Sequence, residues 1–299
     1  MEQTKAAAAP AATPLTTLAA GAWCWHDDYY AGRWSLLDQP AAAAAAGLTA
    51  IECNDFMLPP PRLSRLRQPL LRLLPGAPPE LWRYSRASLR HLRAAAAAHG
   101  VQLLTWAINS DLTVSSRAWP AQQLYLRRGL AAARLLEAPL LRVILGGSAE
   151  TPRDRDTLIA QRLAALVQAS PAAVTLENHW GVSTDIQRHL AIFDAAAAAL
   201  PASRRPAFGC CFDPGNVPTG PERAHLWREL ARRANHFHLK TMEFDAAGRE
   251  THLPWPEIGA LLAEAGYRGA VTIEFAGEGD AQEGLRRSVE LWRRLAAGG

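Results

Sequence analysis

The sequence predicts a single (β/α)8 barrel, and three observations carry that reading. Eight short apolar runs of β type alternate with eight helical segments, the pattern of parallel strands joined by crossovers. Polar, titratable residues stand at the ends of the later runs, where a barrel gathers its chemistry. The first run is followed by Trp23-Cys24-Trp25-His26 rather than a Gly-rich turn, which argues against the alternative, a doubly wound open sheet.

The elements follow in order. Residues 1–16 are low-complexity Ala, Pro and Thr and read as a flexible tail ahead of a barrel domain over 17–299. A signal peptide fits badly, because Lys5 is the only cation there and no Leu-rich run follows. Strands are expected at Leu18–Cys24, Leu48–Cys53, Val101–Ile108, Leu140–Leu145, Ala173–Leu176, Ala207–Phe212, His236–Leu239 and Ala270–Phe275. The first main helix opens at Pro40 and closes at Gly47; the second runs from Ser88 to His99 and closes at Gly100. The others are expected at Pro120–Glu137, Arg153–Ala169, Thr184–Leu200, Pro221–Arg233, Pro256–Ala265 and Ala281–Ala296.

A Pro/Arg-rich insertion at 59–87 interrupts the alternation after strand two. Arg62, Arg65, Arg67, Arg72, Arg83 and Arg86 are opposed there only by Glu80. A basic lid over an anionic substrate and a solvated, partner-facing loop are equally good readings.

Composition narrows the classes. At 49% hydrophobic and 20% charged, the 299 residues can bury a large core. No apolar run is long enough to span a membrane, and a net charge of +4 argues against nucleic acid as partner. Cys24, Cys53, Cys210 and Cys211 form no C-x-x-C pair and read as buried thiols of a cytoplasmic protein.

The strand ends carry the functional signal. Alternate side chains of barrel strands point inward, so C-terminal strand ends converge. Strand five offers Glu177 and His179, strand six Asp213 with Asn216 in its turn, strand seven His238 and Lys240, and strand eight Glu274. Glu177, Asp213, His238 and Glu274 converging make a divalent-metal site; without a cation the three carboxylates would repel. Hard carboxylates with one imidazole suit Mn²⁺ first, then Mg²⁺ or Co²⁺, and also Zn²⁺. For each acid alone, the structural reading is a helix cap or an ion pair with Arg.

Smaller expectations attach to neighbours. His179 is a proton shuttle, a hydroxyl ligand or an orienter of the metal ligands. Lys240, one of two lysines, binds an anionic oxygen or a phosphate, or pairs with an acid. Arg142 and Glu52 have inward parity, where an interior ion pair competes with substrate binding. Asn109 and Asp111 are placed to bind hydroxyls. Trp25 and His26 end strand one and suit stacking on a ligand ring; Trp180 offers the same, and Trp106 reads as core. His236 reads as a hydrogen-bonded core residue one layer below His238.

Glu177-Asn178-His179, Asp213-Pro214-Gly215-Asn216, His238-Leu239-Lys240 and Ile273-Glu274-Phe275 together resemble the xylose-isomerase-like TIM-barrel superfamily of sugar isomerases and sugar-phosphate epimerases. The likeness covers most of residues 17–290 and is best in the second half. It implies one divalent metal on Glu177, Asp213, His238 and Glu274, with Glu177 and Glu274 flanking the substrate carbon. Many epimerases of the superfamily carry His where this chain has Asn216, which leaves other reactions open.

The expected chemistry is removal of a proton α to a carbonyl, with Glu177 and Glu274 exchanging roles as base and acid while the metal stabilises an enediolate. Isomerisation or epimerisation of a small-molecule carbohydrate leads. A keto-sugar or ketoglycoside lyase or hydratase uses the same groups. An endonuclease IV-type nuclease lacks its extra His ligands here, since strands two to four end in Glu52, Asn109 and Gly146. A non-enzymatic binding barrel is the last reading. Homo-oligomerisation is left open.

Overall fold

The computed structural model describes residues 17–62 and 68–297. The expected tail at 1–16, and Arg65 and Arg67 of the insertion, lie outside the described residues, as does the side chain of Arg72. Eight parallel strands close into a barrel in sequence order: β1 (Leu18–Gly21), β2 (Ala50–Asn54), β3 (Gln102–Ala107), β4 (Leu140–Val143), β5 (Ala173–Glu177), β6 (Phe208–Phe212), β7 (Ala234–Thr241) and β8 (Ala270–Phe275). The β1–β8 pairing, Leu18 opposite Val271 through Ala20 opposite Ile273, closes the ring.

Among the described residues, a short helix α1 (His26–Tyr30) precedes eight outer helices: α2 (Gln39–Ala45), α3 (Arg86–Ala98), α4 (Trp119–Leu136), α5 (Asp156–Ala169), α6 (Ile186–Ala199), α7 (Arg223–Arg233), α8 (Trp255–Glu264) and α9 (Ala281–Ala296). Their starts follow local rules. Ser85 and Ser88 cap α3 reciprocally, while Asp185 and Asp280 accept backbone N–H bonds at the heads of α6 and α9. Pro40, Pro120 and Pro256 sit in first turns, where a missing N–H costs nothing. After α3, Gly100 adopts φ 64°, a turn that any Cβ would strain.

Period two divides each strand between two environments. Ile51, Val174, Leu176, Phe237, Leu239, Val271 and Ile273 face outward and join the large apolar layer beneath the helices. Fully burying one such side chain stabilises the fold by about 1.5–3 kcal/mol. The inward column starts apolar, with Ala19, Ala50, Leu104 and Leu140 forming a separate small cluster. Higher up it turns polar and still buried: Thr105, Thr175, His236 and Thr272, then Glu52, Arg142, Glu177, His238 and Glu274.

Element boundaries shift by a few residues from expectation, most clearly at β1 and β7. β1 ends at Gly21, and Ala22–Trp25 forms a 3₁₀ turn. The turn places the Cys24 thiol against β8, where it donates to the Ile273 carbonyl at 3.3 Å and accepts from the Phe275 N–H at 3.3 Å. The strand β7 extends on both sides of His236–Leu239, because inward polar residues can pair in a ladder as well as apolar ones. All four cysteines are free and buried, as expected. Among the described residues, no helix is long and apolar enough to cross a membrane.

Candidate metal centre

The strands β5 to β8 deliver four side chains to one point at the barrel mouth. Nδ1 of His238 lies 3.5 Å from Glu177 Oε1, 3.6 Å from Glu274 Oε2 and 3.8 Å from Asp213 Oδ2. Ligand atoms of Glu177, Asp213 and His238 all fall within 4.8 Å of one another; so do those of Glu52, His238 and Glu274. The residues expected to meet do meet.

Each is placed by local geometry. Glu177 ends β5. Asp213 follows β6 and caps the turn Pro214–Asn216, where its Oδ1 accepts the N–H groups of Gly215 at 2.8 Å and Asn216 at 3.2 Å. His238 and Lys240 share the inward face of β7. Glu274, on β8, stands beside Gly21; a Cβ on Gly21 would meet the Ile273 carbonyl at 2.7 Å and Glu274 Cγ at 3.3 Å. The close approach of β1 to this acid therefore requires glycine.

Supporting groups surround the four. Arg142 reaches Glu177 Oε2 with Nε at 3.1 Å and donates to Asn54 Oδ1 at 2.9 Å and Asn109 Oδ1 at 3.2 Å. Lys240 donates to Asp213 Oδ2 at 3.0 Å and stands 3.6 Å from Glu274. The Asn216 amide donates to Asp213 Oδ2 at 3.0 Å and Glu177 Oε1 at 3.4 Å. His179 lies 3.9 Å from Glu177 and is about a third exposed, opening the site toward solvent. Beside it Trp180 is 45% exposed.

The other aromatic candidates make their contacts elsewhere. Trp25 is buried and stacks on Trp34 at 5.3 Å. His26 stacks on Trp23 at 4.8 Å, and its Nδ1–H donates to the Trp23 carbonyl at 2.9 Å. Trp106 is core, packed edge-on against Tyr84. His236 is buried and bonds Thr272 Oγ1 at 2.8 Å. Asp111 caps its own turn by accepting from Thr113. In the insertion, Arg83 turns inward to the Leu58 carbonyl at 2.9 Å and the Tyr29 hydroxyl at 2.6 Å.

Sequence reasoning missed two supports. Asn178, inside the Glu-Asn-His run, exchanges two hydrogen bonds with the Asp213 backbone, at 2.8 and 2.9 Å, and so fixes the end of β6 to the end of β5. Asn54 anchors Arg142. Inward parity at the end of β2 was the available signal for Asn54; nothing local marks Asn178.

The electrostatics separate the two glutamates. Burial works against the charge of Glu177, but Arg142, His179 and His238 hold it well below the ordinary carboxylate range. Burial likewise opposes Asp213, and Lys240 with His238 overcomes it. For Glu274 burial prevails, and its affinity for a proton is raised.

A divalent cation fits this donor set on two observations. The buried Nδ1 of His238 has no hydrogen-bond partner although it points among three carboxylates. Among the described residues, the four carboxylates Glu52, Glu177, Asp213 and Glu274 meet two permanent cations, Arg142 and Lys240. The two uncompensated negative charges match one dication, and burying them unpaired would cost several kcal/mol.

The sequence profile described as xylose isomerase-like TIM barrel matches residues 40–295. A C-glycoside deglycosidase alpha subunit from Microbacterium trichothecenolyticum is 38% identical over 58 residues, which is 19% of this chain and 16% of that relative. The chain thus matches only a small part of that relative's length. A D-psicose 3-epimerase from Clostridium cellulolyticum H10, solved with D-tagatose, superposes with a TM-score of 0.63 at 15% identity, covering 94% of this chain and 99% of that one. A probable 3-DHS dehydratase from Bacillus anthracis superposes with a TM-score of 0.62 at 12% identity, covering 93% and 99%.

Proposed function

The chain belongs to the xylose isomerase-like TIM barrel family, and from that premise we propose that it is a divalent-metal-dependent isomerase or epimerase of a sugar or sugar derivative. The observation that carries the reading is the meeting of Glu177, Asp213 and Glu274 at the unpartnered Nδ1 of His238. The sugar epimerase with a similar fold supports it.

Glu177, Asp213, His238 and Glu274 would hold the cation, Mn²⁺ first among the candidates. Bound there, it would polarise the substrate carbonyl and stabilise the negative charge left on its oxygen by proton removal. Glu177 is kept ionised by Arg142 and acts as the base toward the proton α to that carbonyl. Glu274 returns a proton as the acid partner. Delivery to the same carbon from the other side inverts it; delivery to the neighbouring carbon interconverts aldose and ketose. Lys240 steadies Asp213 and Glu274 and adds positive charge where the oxyanion develops. Asn216, Asn109 and His179 offer hydrogen bonds to hydroxyls. A cytoplasmic setting belongs to the same proposal.

A second reading is favoured by the deglycosidase relative. If the substrate carries a leaving group on the carbon next to the carbanion, the electron pair freed by proton removal at Glu177 forms a C=C bond and breaks the bond to that group, which Glu274 can protonate as it departs. Incubation of metal-loaded protein with a keto-sugar panel in D₂O tests both. Loss of ¹H signal without bond cleavage supports epimerisation or isomerisation, and release of an aglycone supports the lyase. No exchange with any substrate, in protein shown to carry metal, would sink both.

A further inference from the structure

Glu52 is a buried carboxylate that the chemistry above leaves without a role. It sits on β2, across the barrel from β7, with Oε2 3.4 Å from Nε2 of His238. Two groups besides His238 hold it there. Nε2 of His236, itself bonded to Thr272, is 3.2 Å from Oε2; Nε of Arg142 is 3.8 Å from Oε1; both Glu52 and His236 are fully buried.

An ionised carboxylate only accepts hydrogen bonds, so the partner atom Nε2 of His238 must carry the hydrogen. The ring is thereby fixed in rotation as well as in tautomer. Its remaining nitrogen, Nδ1, is the atom turned toward Glu177, Asp213 and Glu274, and no protein group satisfies it. A histidine that ligates a metal through one nitrogen commonly donates the other N–H to a carboxylate, which orients the ring and raises its donor strength.

We propose that Glu52 is a positioning residue for the cation: by accepting the Nε2–H of His238 it presents Nδ1 as the metal-binding atom. In this role it acts through His238 rather than on the substrate. The inference rests on the metal reading above, and the test separates the two.

The experiment is calorimetric titration of Mn²⁺ into metal-stripped wild type, E52Q, E52L and H238A at one fixed pH. Wild type binds one Mn²⁺ per chain. E52Q, whose amide oxygen is a poorer acceptor, binds about 10–100-fold more weakly, the usual cost of losing such a partner. E52L binds more weakly still, with H238A the weakest. Saturating Mn²⁺ restores proton exchange in E52Q, a rescue that a general structural defect would not give. In the Mg²⁺-loaded protein, the ¹⁵N resonance of His238 Nε2 moves on E52Q substitution. If E52L does not fold, E52Q alone decides through its Mn²⁺ affinity and the ¹⁵N shift. Wild-type affinity in E52Q, with binding lost in H238A, overturns the role of Glu52 and spares the metal site. No Mn²⁺ binding by wild type overturns the metal reading itself, and this inference with it.

Discussion

The two halves of the barrel do different work. The strands β5 to β8 contribute Glu177, Asp213, His238 and Glu274, which converge at the barrel mouth. The strands β2 and β4 contribute Glu52, Asn54 and Arg142, which hold those residues from behind. Both sets are buried and charged or polar, yet their partners differ. Arg142 donates to Asn54 and Asn109 and pairs with Glu177, whereas Nδ1 of His238 lies among three carboxylates without a hydrogen bond to any of them. Buried side chains bonded to one another orient; a ring nitrogen left unbonded among carboxylates fits a cation.

Substitution should break that contrast in graded steps. Replacing either reacting carboxylate, E177Q or E274Q, should abolish solvent-proton exchange, by at least about 10²–10⁴-fold, while circular dichroism shows an unchanged fold. Normal exchange in E274Q would refute the two-carboxylate scheme. Replacing a support should instead cost stability and shift the pH profile. R142M leaves Glu177 buried without its main counter-charge, so unfolding should become easier by about 3–5 kcal/mol. With Arg142 gone, burial dominates and the Glu177 carboxyl should hold its proton to higher pH. The acid limb of the rate profile should then move upward in pH, and a limb left in place would deny Arg142 this role.

The contrast between halves was only partly readable from the sequence. Glu177 with His179, and His238 with Lys240, are spaced by two, so strand parity alone puts each pair on one face. Asp213 precedes a Pro-Gly-Asn turn, which marks a strand end. Parity also put Glu52 and Arg142 inside. What it could not supply was their partners, because Glu52 meets His238 across the barrel, 186 residues away in sequence. The Asn178 clamp depends on the exact height of two neighbouring strand ends. Trp25 illustrates the opposite error of scale. A 3₁₀ turn after Gly21 carries it onto Trp34, and no residue pattern announces where a strand breaks into such a turn.

Two smaller effects sharpen the comparison. Metal should bind more weakly as pH falls, since burial raises the proton affinity of Glu274 and neighbouring acids raise that of His238 despite its burial. Protons then compete for the same atoms. Mn²⁺ titrations at stepped pH check this, and affinity that rises on acidification would contradict it.

Outside the site, Asp55 offers a contrast within β2's own loop. Burial, with Glu80 nearby, pushes its carboxyl up to about 8, although Tyr125 donates to it at 2.8 Å. A carboxyl whose affinity for protons is higher folded than unfolded contributes stability below its unfolded value. That contribution is lost as pH rises through about 8. The melting temperature of wild type should therefore fall between acid and alkaline pH by several degrees more than that of D55N. Parallel curves for the two proteins would show that Asp55 does not titrate there.

Anomalous diffraction from crystals grown with Mn²⁺ tests the central claim most directly. A single peak bridging Nδ1 of His238 and the carboxylates of Glu177, Asp213 and Glu274 is the predicted result. A map with no peak at that point, from crystals whose solution contains ample Mn²⁺, would contradict it.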